Sequence, residues 1–565
     1  MFEKLLKLIV LNLALAVVLI TSSCTKTSAP EPPIPPINND RCIVNGVDTC
    51  AIAITVRTAT IKIESNKQTI HSFGASDCWG IKFVGKNWPV NKRNEIADLL
   101  FSKEVDASGN PKGIGLSLWR INVGAGSFEQ GAASNITSEW RREECFQNAS
   151  GTYDWSKQAG NRWFAQAAKA RGVENLLLFA VAPPVHMSKN GLASGNPATS
   201  ELGKFNLQAD KYDDYADFLT EVAKNYTQAG MKIDFISPFN ETSWNWVLGG
   251  NGQASQEGSA ATNDEIFKLT KELDTKIVSK SLNSKITLCE SGGHGYTAAS
   301  VSGNTNRSDF INYFWNSNSP GFIGSLPSVE KVITSHSYFS QSNIPNLINY
   351  RTSLANRLFA VNNSVNYWQT EYCILDGEDG IAGPGRDLGI NSALYIARVI
   401  HTDLAIGNAA SWQWWLGVTP GDYKDGLVYI ADQGGAMGEL SSTKNDGIIY
   451  KSKMLWALGN YSRFIRPGMI RVDASLSGIA DPIAAATSVM ISAYKNPATK
   501  ELVIVVLNMS SKDEFVKFDG LNLTSGSFKT YTTDTNKELQ YSITPSTGNI
   551  TVGAKSIVTF VSNYQ

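Results

Sequence analysis

No stretch of this chain assembles a metal or redox centre. Its seven cysteines form no Cys-x-x-Cys pair, and its five histidines (His71, His186, His294, His336, His401) are too scattered for a sequence-local ligand motif. A Gly-rich phosphate loop is also missing, because Gly109-Asn110-Pro111-Lys112-Gly113 reads as a turn. No metal or cofactor is therefore expected. Neither sign of charge dominates: 50 Lys and Arg stand against 51 Asp and Glu. That balance gives no global field to draw nucleic acid or an acidic partner, and uncharged substrates fit better. The apolar run from Leu8 to Ile20, broken by Asn12, is shorter than the roughly 20 residues of a membrane-spanning helix.

That run has another meaning. Lys4 and Lys7 precede it and Thr21-Ser22-Ser23-Cys24 follows, the charged, apolar, then small-residue pattern of an export signal over 1–23. The small residues before Cys24 resemble a bacterial lipobox, although Thr21 replaces the usual leucine. The resemblance implies cleavage before Cys24, acylation of that cysteine and a lipid anchor in a bacterial membrane. Over 24–50 the composition turns to Pro, Ser, Thr and Asn, and Pro30-Glu31-Pro32-Pro33-Ile34-Pro35-Pro36 restricts the chain to an extended, semi-rigid tether. Six cysteines then remain in a disulfide-permissive compartment. Cys42 and Cys50 are near enough to close a small loop; for Cys78, Cys145, Cys289 and Cys373, pairing and buried free thiols both stay open.

With 565 residues, 42% of them hydrophobic, the chain can bury a large core. Short apolar runs with polar ends recur at His71–Asp77, Gly115–Asn122, Asn175–Ala182, Ile233–Asn240, Lys285–Glu290, Lys331–His336, Val365–Thr370 and Ala410–Trp415. Longer helix-like stretches separate them. In 212–229, for example, Tyr215, Phe218, Leu219 and Val222 follow i, i+3, i+4, i+7 spacing. Eight βα units predict a (β/α)8 barrel over 68–463. From 464 to 565 the helical pattern gives way to runs such as Leu502–Leu507 and Ser556–Val561, read as alternating strands of a β-sandwich. The strand-like 51–67 would be marginal alone and is expected to join that sandwich, so both termini build one domain.

A (β/α)8 barrel carries its active site at the C-terminal ends of its strands. Strand four ends in Phe239-Asn240-Glu241 and strand seven in Gln369-Thr370-Glu371. Retaining cleavage of a glycoside needs an acid to protonate the leaving oxygen and a carboxylate about 5 Å away to attack the anomeric carbon. Glu241 and Glu371 suit these roles.

The chain resembles glycoside hydrolase family 30. The resemblance is carried in order by Ser72-Phe73-Gly74-Ala75-Ser76, Leu118-Trp119-Arg120-Ile121-Asn122, Pro183-Pro184-Val185-His186-Met187, Phe239-Asn240-Glu241, His336-Ser337-Tyr338, Trp368-Gln369-Thr370-Glu371 and the segment from Leu458 to Gly468. It implies that Glu241 is the acid/base and Glu371 the nucleophile. Gly74 to Trp79, followed by Val84-Gly85-Lys86-Asn87-Trp88-Pro89, looks most like the branch containing endo-β-1,6-galactanases. Many relatives have proline after the acid/base, where this chain has Thr242.

Around the pair, Arg120 is placed to keep Glu371 ionised, Asn240 to bond a sugar 2-hydroxyl, and His336 and Tyr338 to contact nucleophile or sugar. Asp77, Trp79, Trp244, Tyr372, Trp412 and Trp414 complete the expected substrate-binding set, indoles offering apolar faces to sugar C–H groups. Alternation requires at least one of Trp414 and Trp415 to face away from the lumen. The expected partners are a poly- or oligosaccharide substrate and a membrane reached through the lipid, with no nucleic acid; oligomeric state stays open. An exo-acting β-glycosidase, a β-1,6-glucanase and a noncatalytic glycan-capturing lipoprotein are the alternatives to an endo-β-1,6-galactanase.

Overall fold

The structure, a computed structural model, describes residues 55–565 apart from 376, 378, 379 and 480, together with a strand pair joining Ile43–Val44 to Val47–Asp48. Cys24, the Pro-rich tether, Cys42 and Cys50 lie outside the described residues. Residues 55–565 form one compact unit.

Its centre is a parallel barrel of β1 (Ser72–Ser76), β2 (Leu118–Asn122), β3 (Asn175–Phe179), β4 (Phe235–Ser237), β5 (Lys285–Ile286), β6 (Val332–Ser335), β7 (Asn366–Gln369) and β8 (Ala409–Thr419). Neighbours pair in parallel from β8 through β1 to β5, and from β8 through β7 to β6. The ring closes between β5 and β6 through parallel bridges at Ile286–Val329 and Ser291–Ser335. Each of the first seven expected runs contains one strand, and the eighth, Ala410–Trp415, lies inside the longer β8. A barrel strand is buried on its lumen face and on its helix face, so all of Ser72–Ser76 and Leu118–Asn122 is buried. Gly74 permits the close approach of β1 to β2: a Cβ there would meet the Leu118 side chain at 2.8 Å. β4 stops before the expected end at Asn240, since Pro238 has no N–H to extend the ladder. The helix Tyr212–Gln228 buries Tyr215, Phe218, Leu219 and Val222, the face its spacing predicts.

Nine further strands form one continuous sheet in which Val56–Thr69 lies between Ile470–Leu476 and Glu514–Asp519. The N-terminal segment thus joins the C-terminal one. Phe518 and Phe528, on strands far apart in the sheet order, meet each other and Phe560 at ring separations of 5.1 to 5.4 Å. The sheet therefore folds over a core of its own. Within the strand Glu501–Asn508, the run Leu502–Leu507 is continuously apolar rather than alternating, because both its faces are covered. Leu502, Ile504 and Val506 point into that core, whereas Val503, Val505 and Leu507 pack into the barrel's.

Candidate active site

Glu241 and Glu371 come to the same end of the barrel, where β4 and β7 finish. The chain turns sharply there: Glu241 has φ +47°, a left-handed conformation costing a non-glycine residue roughly 1–3 kcal/mol. Its backbone is held from three directions. The N–H of Glu241 donates to the Glu290 carbonyl (2.6 Å), and its own carbonyl accepts from Trp244 N–H (3.0 Å) and from the Trp246 indole (3.1 Å).

Arg120, fully buried on β2, donates from Nη1 to Glu371 Oε2 (2.5 Å) and from Nη2 to Asn240 Oδ1 (3.0 Å) and Glu290 Oε2 (3.2 Å). The Tyr338 hydroxyl donates to Glu371 Oε1 (3.1 Å). His336, past the end of β6, donates from Nδ1 to Glu241 Oε1 (2.9 Å) and from Nε2 to Glu290 Oε2 (3.1 Å); Nδ1 is also 3.6 Å from Glu371 Oε1.

These contacts set the charges. Burial disfavours charge on His336, but Glu371, Glu241 and Glu290 outweigh it and raise its pKa to about 9, so at neutral pH it is an imidazolium with two N–H donors. Burial likewise opposes ionisation of Glu290, but Arg120 and His336 overcome it and hold that carboxyl at about 2. For Glu371 burial wins. Its carboxyl lies above the ordinary value, with His336 and Arg120 pulling it back and Glu241 pushing it further up. Arg120 thus acts on Glu371 in the expected sense without setting the net direction. The nearest donor atoms of Glu241, His336 and Glu371 lie within 4.8 Å of one another, a spacing a divalent cation could bridge. A metal-bound imidazole must be neutral, however, and this one is a cation already engaged by carboxylates.

A cavity of about 450 Å³ opens beside this network, lined by Trp79, Trp415, Arg141, Cys373, Asp425 and Glu439 among others. Tyr338 joins it to the carboxylates, its hydroxyl lying 3.7 Å from Cys373 Sγ as well as against Glu371. Trp79 and Trp415 meet edge to face at 5.4 Å, and Arg141 spans from the Trp79 ring face (4.7 Å) to Glu439 (2.6 Å). On the Glu241 side, Trp244 packs edge-on against Tyr296 (5.4 Å) and Phe339 (5.9 Å), the last half exposed.

Four of the expected sugar-binding residues sit elsewhere, in the barrel wall. Asp77 is fully buried, accepting from Asn122 N–H (2.8 Å) and Asn161 Nδ2 (2.9 Å). Trp412 is fully buried with its indole N–H on Asp403 Oδ2 (2.9 Å), and Trp414 is fully buried with its N–H on the Asp425 carbonyl (2.7 Å). Tyr372 is buried between Tyr338 and those two indoles. Trp415 reaches the cavity instead. Trp414 pairs with Ala75 and Leu416 with Ser76, so Trp415 is the extra residue of a bulge, and a bulge re-aims its side chain. The expected binding set contained Trp414 in place of Trp415, although alternation left open which of the two faces the lumen, and it did not contain Glu290, whose signal was its place at the end of the fifth apolar run. Cys78, Cys145, Cys289 and Cys373 are all buried and free.

A parallel eight-stranded barrel with paired carboxylates at one mouth is the architecture of a glycoside hydrolase. The family model for O-glycosyl hydrolase family 30 matches residues 56–429, and the chain belongs to that family. An endo-β-1,6-galactanase from Hypocrea rufa is 25% identical over 297 residues, 50% of this chain and 55% of that protein. A glucuronoxylanase from Bacillus subtilis (strain 168) is 29% identical over 180 residues, 30% of this chain and 34% of its own. The chain thus spans about half or less of these relatives. A solved Bacteroides fragilis structure, described as a conserved exported protein, is 34% identical with a TM-score of 0.83 and covers 89% of this chain and 100% of its own.

Proposed function

We propose that this chain is a retaining O-glycosyl hydrolase that cleaves internal linkages of an uncharged β-linked polysaccharide, β-1,6-galactan before other glycans, with Glu371 as nucleophile and Glu241 as acid/base. The observation that carries this reading is the approach of the two carboxylates: an oxygen of one lies within 4.8 Å of an oxygen of the other. Retaining pairs stand about 5–5.5 Å apart, and inverting pairs, which must admit a water, about 6.5–9.5 Å.

Glu371 forms a bond to the anomeric carbon as the glycosidic C–O bond breaks, and Glu241 gives its proton to the departing oxygen. Water then attacks the glycosyl ester while Glu241 takes a proton back. Arg120 and Tyr338 orient the Glu371 carboxylate through one oxygen each. Asn240 has its Oδ1 engaged by Arg120, so its amide nitrogen is the atom it offers to a sugar hydroxyl. Aromatic surface on both sides of the pair, Trp79 with Trp415 and Trp244 with Tyr296 and Phe339, supports a chain that continues past the cleaved bond in both directions.

The relative named endo-β-1,6-galactanase supports the linkage assignment. Product analysis on β-1,6-galactan, β-1,6-glucan and xylan tests it: a ladder of oligosaccharides from galactan alone is expected. Monosaccharide as the sole first product would make the enzyme exo-acting, and no reducing-sugar release from any β-glycan would leave a noncatalytic glycan binder. Export and acylation at Cys24 belong to the same proposal, supported by the signal pattern and by the exported Bacteroides relative. Cys24→Ala should lose lipid labelling and membrane retention.

A further inference from the structure

Glu290 is the third carboxylate of the barrel mouth. It is 0% exposed, so no substrate reaches it. Its Oε2 accepts from both cations of the site, Arg120 Nη2 and His336 Nε2. Those bonds fix which way each cation faces: Arg120 turns Nη1 to Glu371, and His336 turns Nδ1 to Glu241. The Glu290 backbone is fixed in turn, with φ +53°, its N–H on Thr334 Oγ1 (2.7 Å) and its carbonyl receiving the Glu241 N–H.

We infer that Glu290 is a positioning residue for the hydrolysis, holding Arg120 and His336 in the orientation in which each serves one catalytic carboxylate and keeping His336 an Nδ1–H donor to Glu241. The inference rests on the roles proposed for Glu241 and Glu371.

Its consequence is a pH dependence. His336 faces Glu241 from the end of β4, Glu290 from the end of β5, Glu371 from the end of β7 and Tyr338 from its own loop. Arg120 stands behind the last two glutamates, and His294 of the short helix His294–Ala298 adds a neighbouring imidazole. Glu290→Gln removes one of three anions and leaves part of the Arg120 charge unbalanced. Both changes disfavour the imidazolium, and neutral His336 could then direct a lone pair at Glu241.

The test is kcat and KM of Glu290→Gln from pH 4 to 10 on an activated aryl β-glycoside the wild type cleaves, with folding followed by near-UV circular dichroism. The expected result is a kcat lower by about tenfold to a hundredfold, from lost charge-assisted hydrogen bonds. KM should stay within about threefold, since Glu290 touches no sugar, and the alkaline limb should move down by at least about one pH unit. Glu290→Asp keeps the charge but not the reach, so its kcat should fall with the alkaline limb nearer the wild-type position. Wild-type kcat and an unmoved limb in Glu290→Gln would overturn the inference. Should that variant not fold, nitrogen-15 NMR of wild-type His336 decides: both nitrogens protonated at pH 7.5 supports the inference, and a neutral ring overturns it. Glu371→Gln, run in parallel, separates the two proposals. Activity in that variant defeats the catalytic assignment, whereas an inactive Glu371→Gln beside a wild-type-like Glu290→Gln defeats only this inference.

Discussion

Replacing Arg120 with methionine removes the charge on which the mouth depends while keeping most of the volume. The guanidinium donates to Glu371, Asn240 and Glu290 and lies over the Phe179 ring at 3.8 Å, all without solvent contact. Breaking a buried ion pair by deleting one partner costs about 3–5 kcal/mol, because the other charge stays buried and unpaired. Here two carboxylates are stranded. Burial already lifts Glu371 above its ordinary value, and Arg120 is one of the two cations pulling it down, so its loss must raise Glu371 further. A larger share of the proposed nucleophile is then protonated at any given pH. If the 3–5 kcal/mol appears in the barrier, kcat falls by about 10²- to 10⁴-fold. The assay is kcat against pH on an activated aryl β-glycoside. The acid limb should move up and part of the activity should return as pH rises, because base regenerates the carboxylate. Arg120→Met/Glu290→Gln should be more stable than Arg120→Met alone, since one stranded charge has gone. A kcat within tenfold of wild type at pH 6, with the acid limb in place, would refute the reasoning.

Three other outcomes follow from the same structure. Glu143 is 1% exposed with neither carboxylate oxygen hydrogen-bonded, and burial, opposed by Lys82 at 3.7 Å, raises it from 4.5 to about 8. The folded state therefore holds a proton that the unfolded state has released between those values, so stability falls as pH rises from 4.5 to 8; Glu143→Gln should flatten that decline in thermal melts, and a parallel slope would count against it. Trp415→Ala should raise KM about tenfold as well as lower melting temperature, the residue being only 7% exposed, whereas Trp412→Phe, which loses the bond to Asp403, should lower melting temperature and leave KM alone; an unchanged KM in the first with a raised KM in the second would exchange their places at cavity and wall. Proton NMR of the nascent product should show the β-anomer first, and initial α-anomer would exclude a Glu371 ester.

The barrel was legible because each wall strand is buried on both faces, so it appears in the sequence as an apolar run that stops where the lumen opens. Glu241 and Glu371 could be picked out for the same reason, each closing such a run. Glu290 closes one too, but β5 pairs regularly only over Lys285–Ile286, and the residue beyond it looks like any loop glutamate until folding brings His336 and Arg120 against it. Trp415 was hidden by its bulge. In Trp412-Gln413-Trp414-Trp415, alternation places one of the last two indoles outside the lumen but cannot say which, because a one-residue insertion shifts every later side chain across the strand. Asp77 misled for the opposite reason: a carboxylate at a strand end is also an acceptor for the neighbouring strand's backbone, and Asn122 and Asn161 take it up.

The charges at the mouth explain why three carboxylates and two cations suit this chemistry better than two carboxylates alone. In the proposed reaction, forming the glycosyl ester removes the charge of Glu371 and giving up its proton creates one on Glu241, so the negative charge crosses from one carboxylate to the other while the total charge of the cluster is unchanged. His336 Nδ1 lies between them, 2.9 Å from a Glu241 oxygen and 3.6 Å from a Glu371 oxygen. One N–H can therefore follow the charge with little movement, as a donor already in place when the charge develops. On the inference drawn for Glu290, its hold on the other His336 nitrogen leaves Nδ1 committed to the pair that reacts.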